Sequence, residues 1–264
     1  LDLKNKKSAK NTVILSSLCI FGANKYISTM PSSHFKFKQF TICHDKCAMK
    51  VGTDSVLLGA WTKVDQARNI LDIGTGTGLI ALMLSQRSNV ALVDAIEIDI
   101  AAAEQAKENV MRSEWADRVK VLCCDIQEYD SSIKYDLIVS NPPYFVDSLK
   151  CPSQNRNLAR HVGKLNYESL FYHSSRLLSD SGNLDIIIPT VVENNIIDIA
   201  QKYSLYPSQG LRVYTKEGKP SRRILLSFSF KEKAYTEHYL CIKLNTNQFS
   251  EDYINLTKEF YLKM

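Results

Sequence analysis

Short apolar runs separated by amphipathic stretches organise this chain. Ile70 to Ile73, Leu92 to Ile98 and Tyr135 to Ser140 are apolar enough to be buried on both faces, and turn residues bound each of them. Arg118 to Cys123 reads as a further strand. The connecting segments carry helical periodicity: a helix begins at Leu79, and residues 100–114 are rich in Ala and Glu. Upstream, residues 35–42 alternate apolar and polar positions, as a strand or hairpin arm does. Thr53 or Asp54 is placed to cap a helix running through Val56, Leu57, Leu58 and Trp61. Downstream, the pattern predicts a helix over Tyr167 to Leu178, a strand over Asn183 to Ile188 and a helix over 191–203. Strands follow over Leu205 to Tyr214, Arg222 to Phe230 and Glu237 to Leu244. A last helix begins at Ser250, with Tyr253, Leu256, Phe260 and Tyr261 at helical spacing. Strands alternating with helices imply an α/β fold with a doubly wound, largely parallel sheet.

Two loops interrupt this pattern with unusual chemistry. Gly74, Gly76 and Gly78 make a tight turn between the Ile70 strand and the Leu79 helix. That is the first unit of a doubly wound sheet, with G-x-G-x-G spacing rather than the G-x-G-x-x-G of dinucleotide binders. A carboxylate about 20 residues beyond such a turn, at the end of the second strand, is placed to accept ribose hydroxyls. Glu97 fits that role; an acid there can also serve the next helix's first turn, which suits Asp99 better. Asp125, just past the third strand, can accept from an adenine amino group or cap the following turn. The second loop is Asn141-Pro142-Pro143-Tyr144 at the end of the fourth strand. Two prolines remove two backbone donors and fix two φ angles, so the loop is rigid and cannot extend the sheet. The Asn141 side-chain oxygen and the Pro142 carbonyl can each accept one N–H, while Tyr144 can stack on a flat ring. Together they suit a planar group bearing an amino substituent.

The chain has 264 residues and is 45% hydrophobic, enough for one sizeable core. No apolar run approaches the roughly 20 residues of a membrane span. Seven cysteines, an odd number with no C-x-x-C pair, point to reduced thiols in the cytoplasm. Cys43, His44 and Cys47 lack a second ligand pair at metal-site spacing, so no metal is expected. Of the formal charge of +5, residues 1–29 hold Lys4, Lys6, Lys7, Lys10 and Lys25 against Asp2 alone. Global basicity therefore says little about nucleic acid, whereas local clusters do. One lies in the polar connection over 145–165, with Lys150, Arg156, Arg160, His161 and Lys164; another spans 212–233, with Arg222 and Arg223. Residues 1–29 look foreign to the rest, as a poorly ordered extension upstream of an initiator at Met30, leaving 30–264 as a single domain.

LDIGTGTG, then Glu97, then NPPY after the fourth strand resemble the class I methyltransferases that use S-adenosyl-L-methionine (S-adenosylmethionine), in their amino-methylating branch. FKFKQFTICHDKCAMKVGTDSVLLGAW, LDIGTGTGLIALMLSQR, LIVSNPPYF, QNRNLARH and SRRILLSF together resemble the bacterial tRNA1(Val) adenine-37 N6-methyltransferases. The resemblance spans about 35–264 and implies a Rossmann-like, seven-stranded, mostly parallel sheet with one antiparallel strand and helices on both faces. It implies S-adenosylmethionine over Asp72, Gly74, Gly76 and Gly78, with its ribose on Glu97 and its adenine near Asp125. Lys50, Gly52 and Thr53 would close over it. Asn141, Pro142 and Tyr144 would hold the target adenine beside the anticodon. Arg156, Arg160, His161, Arg222 and Arg223 would contact the tRNA, and the protein would act as a monomer. Release-factor glutamine, ribosomal RNA and DNA methyltransferases share the NPPY loop. The first group adds an N-terminal helical domain for which there is little room here. A NAD-binding oxidoreductase fits neither loop, and a non-catalytic RNA-binding module would need no cofactor.

Overall fold

The computed structural model describes residues 33–47, 49–143 and 166–263. The expectations for 1–29 and for the connection over 145–165 lie outside the described residues, as do Tyr144, Arg156, Arg160 and His161.

The alternating stretch near 35–42 folds back on itself. β1 (His34–Lys36) and β2 (Thr41–Cys43) form an antiparallel hairpin, closed by Phe37 N–H donating to the Phe40 carbonyl at 2.8 Å. α1 (Thr53–Trp61) follows. Its N-cap is Gly52, with no side-chain cap, rather than Thr53 or Asp54. Asp54 instead meets the Arg223 guanidinium at 2.8 Å, a charge-assisted bond stronger than a cap to its own backbone.

The main sheet is built from β3 (Asn69–Ile73), β4 (Leu92–Glu97), β5 (Val119–Cys123), β6 (Tyr135–Ser140), β7 (Leu178–Pro189), β8 (Tyr206–Tyr214), β9 (Arg223–Ser229) and β10 (Thr236–Cys241). Its order is β10-β8-β9-β7-β6-β3-β4-β5. β9 alone runs against its neighbours β7 and β8; the other pairings are parallel. Among the described residues the sheet thus has eight strands rather than seven. The eighth, β10, pairs with β8 and covers an edge whose backbone groups would otherwise stand unpaired. β7 also starts earlier than expected: an irregularity opposite Tyr135 and Leu137 lets the polar residues after Leu178 join the ladder.

The helices are α2 (Leu79–Arg87), α3 (Ile100–Met111), α4 (Tyr167–Leu177), α5 (Glu193–Lys202) and α6 (Glu251–Thr257). One core layer joins residues of α1, α2 and α6 to Leu137, Val139, Ile187 and Leu225 of the sheet. The other joins α4 and α5 to Ile138, Ile186, Ile188 and Leu226. Successive residues of one strand thus serve opposite layers, which is why these strands are apolar throughout. Gly59 lets α1 approach α2 closely, because a Cβ there would lie 2.8 Å from the Met83 sulfur.

The strand order reverses at β3, whose neighbours β4 and β6 lie on either side. Ligands of open α/β sheets bind outside the carboxyl ends of the strands at such a switch point. The β1–β2 hairpin is held to the body by aromatic packing. Phe37 is fully buried and stacks on Phe40 (centroids 4.7 Å apart) and Tyr261 (5.9 Å). Phe37→Ala is expected to lower the unfolding free energy by about 3–5 kcal/mol in urea titrations. A loss below about 1 kcal/mol would show that the hairpin is not part of the cooperative core.

Candidate active site

Two loops leave adjacent strand ends. The β3–β6 ladder ends at the pair Asp72 and Val139, and one residue on the buried Ser140 hydroxyl donates to the Ile73 carbonyl at 2.8 Å. The glycine turn leaves from one side of this junction and the Asn141 loop from the other. Gly74, Gly76 and Gly78 have φ of 71°, 57° and 81°, a region that side chains disfavour. A Cβ on Gly74 or Gly76 would meet nothing within 4 Å, so the turn is open above, whereas at Gly78 it would lie 3.4 Å from Ala106 on α3.

Asp72 shapes the turn from beneath. It is fully buried, and its Oδ2 accepts from the Thr75 hydroxyl at 2.6 Å and from Ala81 N–H at 3.2 Å. Its Oδ1 is buried with no partner among the described residues. Burial pushes its carboxyl up to about 7. Glu97 stands across the turn, where Oε2 accepts from Gly76 N–H at 2.9 Å and Oε1 from Asp99 N–H at 3.0 Å. Each oxygen keeps a lone pair for a hydroxyl donor. The helix-capping role at this strand end falls to Asp99, which accepts from Ala102 N–H at 2.8 Å. Asp125 caps its own turn, accepting from Gln127 N–H at 2.9 Å, and also lines a narrow cleft with Gly74, Glu97, Ile98 and Ile126. The capping role is thus seen, and the cleft wall leaves Asp125 placed for the other. A wider cleft, open to solvent, lies beside Asp185, Ser208 and Lys233 at the opposite end of the sheet, and none of the expected site residues lines it.

Asn141 is half-buried. Its Nδ2 donates to Ser55 Oγ at 2.9 Å, while its Oδ1 is buried with no partner among the described residues. Pro142 behind it is buried. Lys50, Gly52 and Thr53 are exposed in the approach to α1. Burial, with the carboxylates of Glu97 and Asp99 nearby, pushes the Cys47 thiol up to about 11, which sets this approach beside the Glu97 strand end.

Two residues of this architecture were not singled out from the sequence. Ser55 is one. Asn109 is the other: its Nδ2 donates to the carbonyls of Cys43 and Thr77, each at 2.9 Å, and its Oδ1 accepts from Cys43 N–H at 2.9 Å. It thereby ties hairpin, glycine turn and α3 together. An amide among the small apolar residues of α3 is its sequence signal, one that Gln105 on the same buried face shares.

The basic window over 212–233 does not act as one cluster. Arg212 is held by Glu237 at 2.8 Å and Glu193 at 2.9 Å. Arg223 is held by Asp54, so it braces α1 against β9. Because Arg223 pairs with Pro189 at the carboxyl end of β7, the β8–β9 loop carrying Lys216, Lys219 and Arg222 lies at the same end of the sheet as Asn141. Lys231 and Lys233 lie beyond the other end of β9, roughly 20 Å away along the strand. Among the described residues, no three His, Cys, Asp or Glu side chains gather as a metal site. No helix among them is long and apolar enough to cross a membrane.

Residues 46–197 match the family model of the methyltransferase small domain. A tRNA1(Val) (adenine(37)-N6)-methyltransferase of Bacteroides fragilis is 52% identical over 238 residues, covering 89% of this chain and 100% of the relative. This chain belongs to that methyltransferase family. Relatives bearing the same name from Trichodesmium erythraeum (46% identical, 89% and 100% covered) and Pectobacterium carotovorum (44%, 89% and 96%) agree. A predicted O-methyltransferase from Agrobacterium tumefaciens shares the fold, with a TM-score of 0.60 at 18% identity over 78% of this chain and 96% of that one.

The protein is thus a class I, Rossmann-like methyltransferase dependent on S-adenosylmethionine, and the residues present fit that cofactor. The turn is open above Gly74 and Gly76, Glu97 has acceptor capacity for ribose hydroxyls, and the cleft between Glu97 and Asp125 has apolar walls at Ile98 and Ile126 for a flat base. The NAD reading falls with the family assignment.

A carboxyl held above its ordinary 3.8 favours the folded state while protonated. Its contribution is complete below pH 3.8 and is lost as the pH rises through about 7. Asp72→Asn keeps an acceptor for Thr75 and Ala81 without a charge. It is expected to flatten the decline in stability between about pH 4 and pH 7, read as urea midpoints across that range. Parallel profiles for variant and wild type would mean that Asp72 is ionised throughout.

Proposed function

We propose that this protein transfers a methyl group from S-adenosylmethionine to the 6-amino group of adenine 37 in tRNA1(Val), beside the anticodon. The observation that carries this reading is the buried Oδ1 of Asn141, unpartnered among the described residues and presented next to the glycine turn by a chain of this family. A buried acceptor without a partner costs about 1–3 kcal/mol, and an incoming N–H removes that cost.

When bound, the cofactor supplies a methyl group activated on a sulfonium. The chain's own residues do the rest. An adenine amino group is a weak nucleophile because its lone pair is delocalised into the ring. Asn141 Oδ1 and the Pro142 carbonyl each accept one of its N–H bonds, which favours a tetrahedral nitrogen and localises that pair. Rigid prolines fix both acceptors, so little reorganisation is needed as charge develops. The remaining requirement is alignment of nitrogen and methyl, supplied by the common origin of both loops at the β3–β6 junction. Asp72 keeps the turn in shape, while Glu97 and Asp125 orient the cofactor's nucleoside. Lys50, Gly52 and Thr53 form its lip.

The target base is swung out of its loop to reach these acceptors, and Tyr144 stacks on it there. Phosphates flanking it are met by Arg156, Arg160 and His161, and by Arg222 with Lys216 and Lys219 on the β8–β9 loop. Arg223 positions that loop through Asp54. The protein works as a monomer in the cytoplasm; the five cysteines among the described residues are all unpaired, as a reducing compartment requires.

Methyl transfer from labelled S-adenosylmethionine to total tRNA of cells lacking this protein, followed by nucleoside analysis, tests the substrate. Label is expected in N6-methyladenosine of the valine tRNA. Label in a release factor or ribosomal RNA instead would reject the substrate and keep the methyltransferase. The phosphate-holding role is tested by charge reversal. Lys219→Glu with Arg222→Glu is expected to raise the KM for tRNA on the order of tenfold and to reduce its salt dependence. Lys231→Glu with Lys233→Glu is expected to change neither. Equal effects from both pairs would show that the tRNA does not approach over the β8–β9 loop.

A further inference from the structure

The two ends of a primary amide are nearly equal in size and opposite in hydrogen-bonding sense. An amino group to be methylated brings only N–H donors to the in-plane contacts proposed here. If Asn141 turned Nδ2 toward it, donor would face donor and the group would be pushed from the line of attack. One of the two amide orientations is therefore productive, and Asn141 itself contains nothing that selects it.

The contact that braces the productive orientation comes from another element. Asn141 Nδ2 donates to Ser55 Oγ at 2.9 Å, and this bond leaves Oδ1 as the end that is buried and unpartnered among the described residues. Ser55 lies in the first turn of α1, which is immobilised on two sides. Asp54, the preceding residue, is joined to Arg223 of β9 at 2.8 Å with both side chains largely buried, at 25% and 29% exposure. Farther along, Gly59 packs α1 against Met83 of α2. The helix therefore holds the Ser55 hydroxyl at a set place above the end of β6. Gly52 caps α1 without any side chain, so Ser55 is not needed to start the helix.

We propose that Ser55 is a positioning residue for methyl transfer: by accepting from Asn141 Nδ2 it holds the amide with Oδ1 toward the substrate amino group. The proposal rests on the assignment of Asn141 as the acceptor of that group. It also explains why Arg223 is tied to α1: the Asp54 ion pair keeps the helix that carries the orienting hydroxyl in place.

A double-mutant cycle decides it. Ser55→Ala, Asn141→Ala, the double variant and wild type are compared in single-turnover methyl transfer to valine tRNA, with S-adenosylmethionine affinity measured on the same preparations. Ser55→Ala is expected to slow transfer about tenfold while cofactor affinity stays within about twofold. Ser55→Thr, which keeps the Oγ, is expected to restore most of the rate. In the Asn141→Ala background, where there is no amide to orient, Ser55→Ala is expected to change the rate by less than about twofold. Equal slowing in both backgrounds, or a matching loss of cofactor affinity, would overturn the proposal. If wild type leaves valine tRNA unmethylated, the substrate reading fails by itself. The same cycle run on the planar amine that does accept methyl then decides the role of Ser55.

Discussion

A single buried hydrogen bond, Ser140 Oγ to the Ile73 carbonyl, holds the two halves of this site together. It begins where the backbone ladder between β3 and β6 ends. Parallel strands diverge beyond their last ladder pair, and the loops that leave them go to opposite sides of the sheet. A side-chain bond at that point carries the registration one residue farther. The glycine turn and the Asn141 loop then start from a fixed separation, and a methyl donor and acceptor that must meet in line depend on that separation.

Three polar side chains near this junction, two buried and one half-buried, show how structural and chemical roles divide. Asn109 makes three hydrogen bonds and joins three elements. Asp72 and Asn141 each use one end of the side chain on the protein and leave one oxygen buried with no partner among the described residues. A fully bonded group stabilises the fold, whereas a half-bonded one keeps acceptor capacity for a water or a ligand. Asp72 lies at the end of β3 beneath the glycine turn and Asn141 on the proline loop, while Asn109 joins the glycine turn to the hairpin.

Charge is distributed by the same logic. Arg212 and Arg223 stand in the most basic stretch of the described chain, yet carboxylates hold both inside the fold. Partly buried pairs of this kind fix elements relative to one another more than they add stability. The lysines left on the β8–β9 loop face the end of the sheet where the two marked loops open, and those beyond β9 face the other end. A run of like charges in sequence is thus divided by one strand reversal.

The sequence by itself determined the order of strands and helices along the chain and both marked loops, because burial period and the backbone limits of glycine and proline are local properties. It also marked Glu97 and Asp125, since strand ends can be located from where apolar runs stop. It determined the family through long motifs that the comparisons support. Tertiary structure decided what depends on partners far apart in the chain. Asp54 went to Arg223 instead of capping α1, Ser55 met Asn141, Asn109 reached Cys43 and Thr77, and β10 joined the sheet as its eighth strand. Each outcome is a hydrogen bond or strand pairing between segments whose separation only the folded chain sets. The local sequence of either partner reads equally well as a cap, a polar helix residue or an isolated strand.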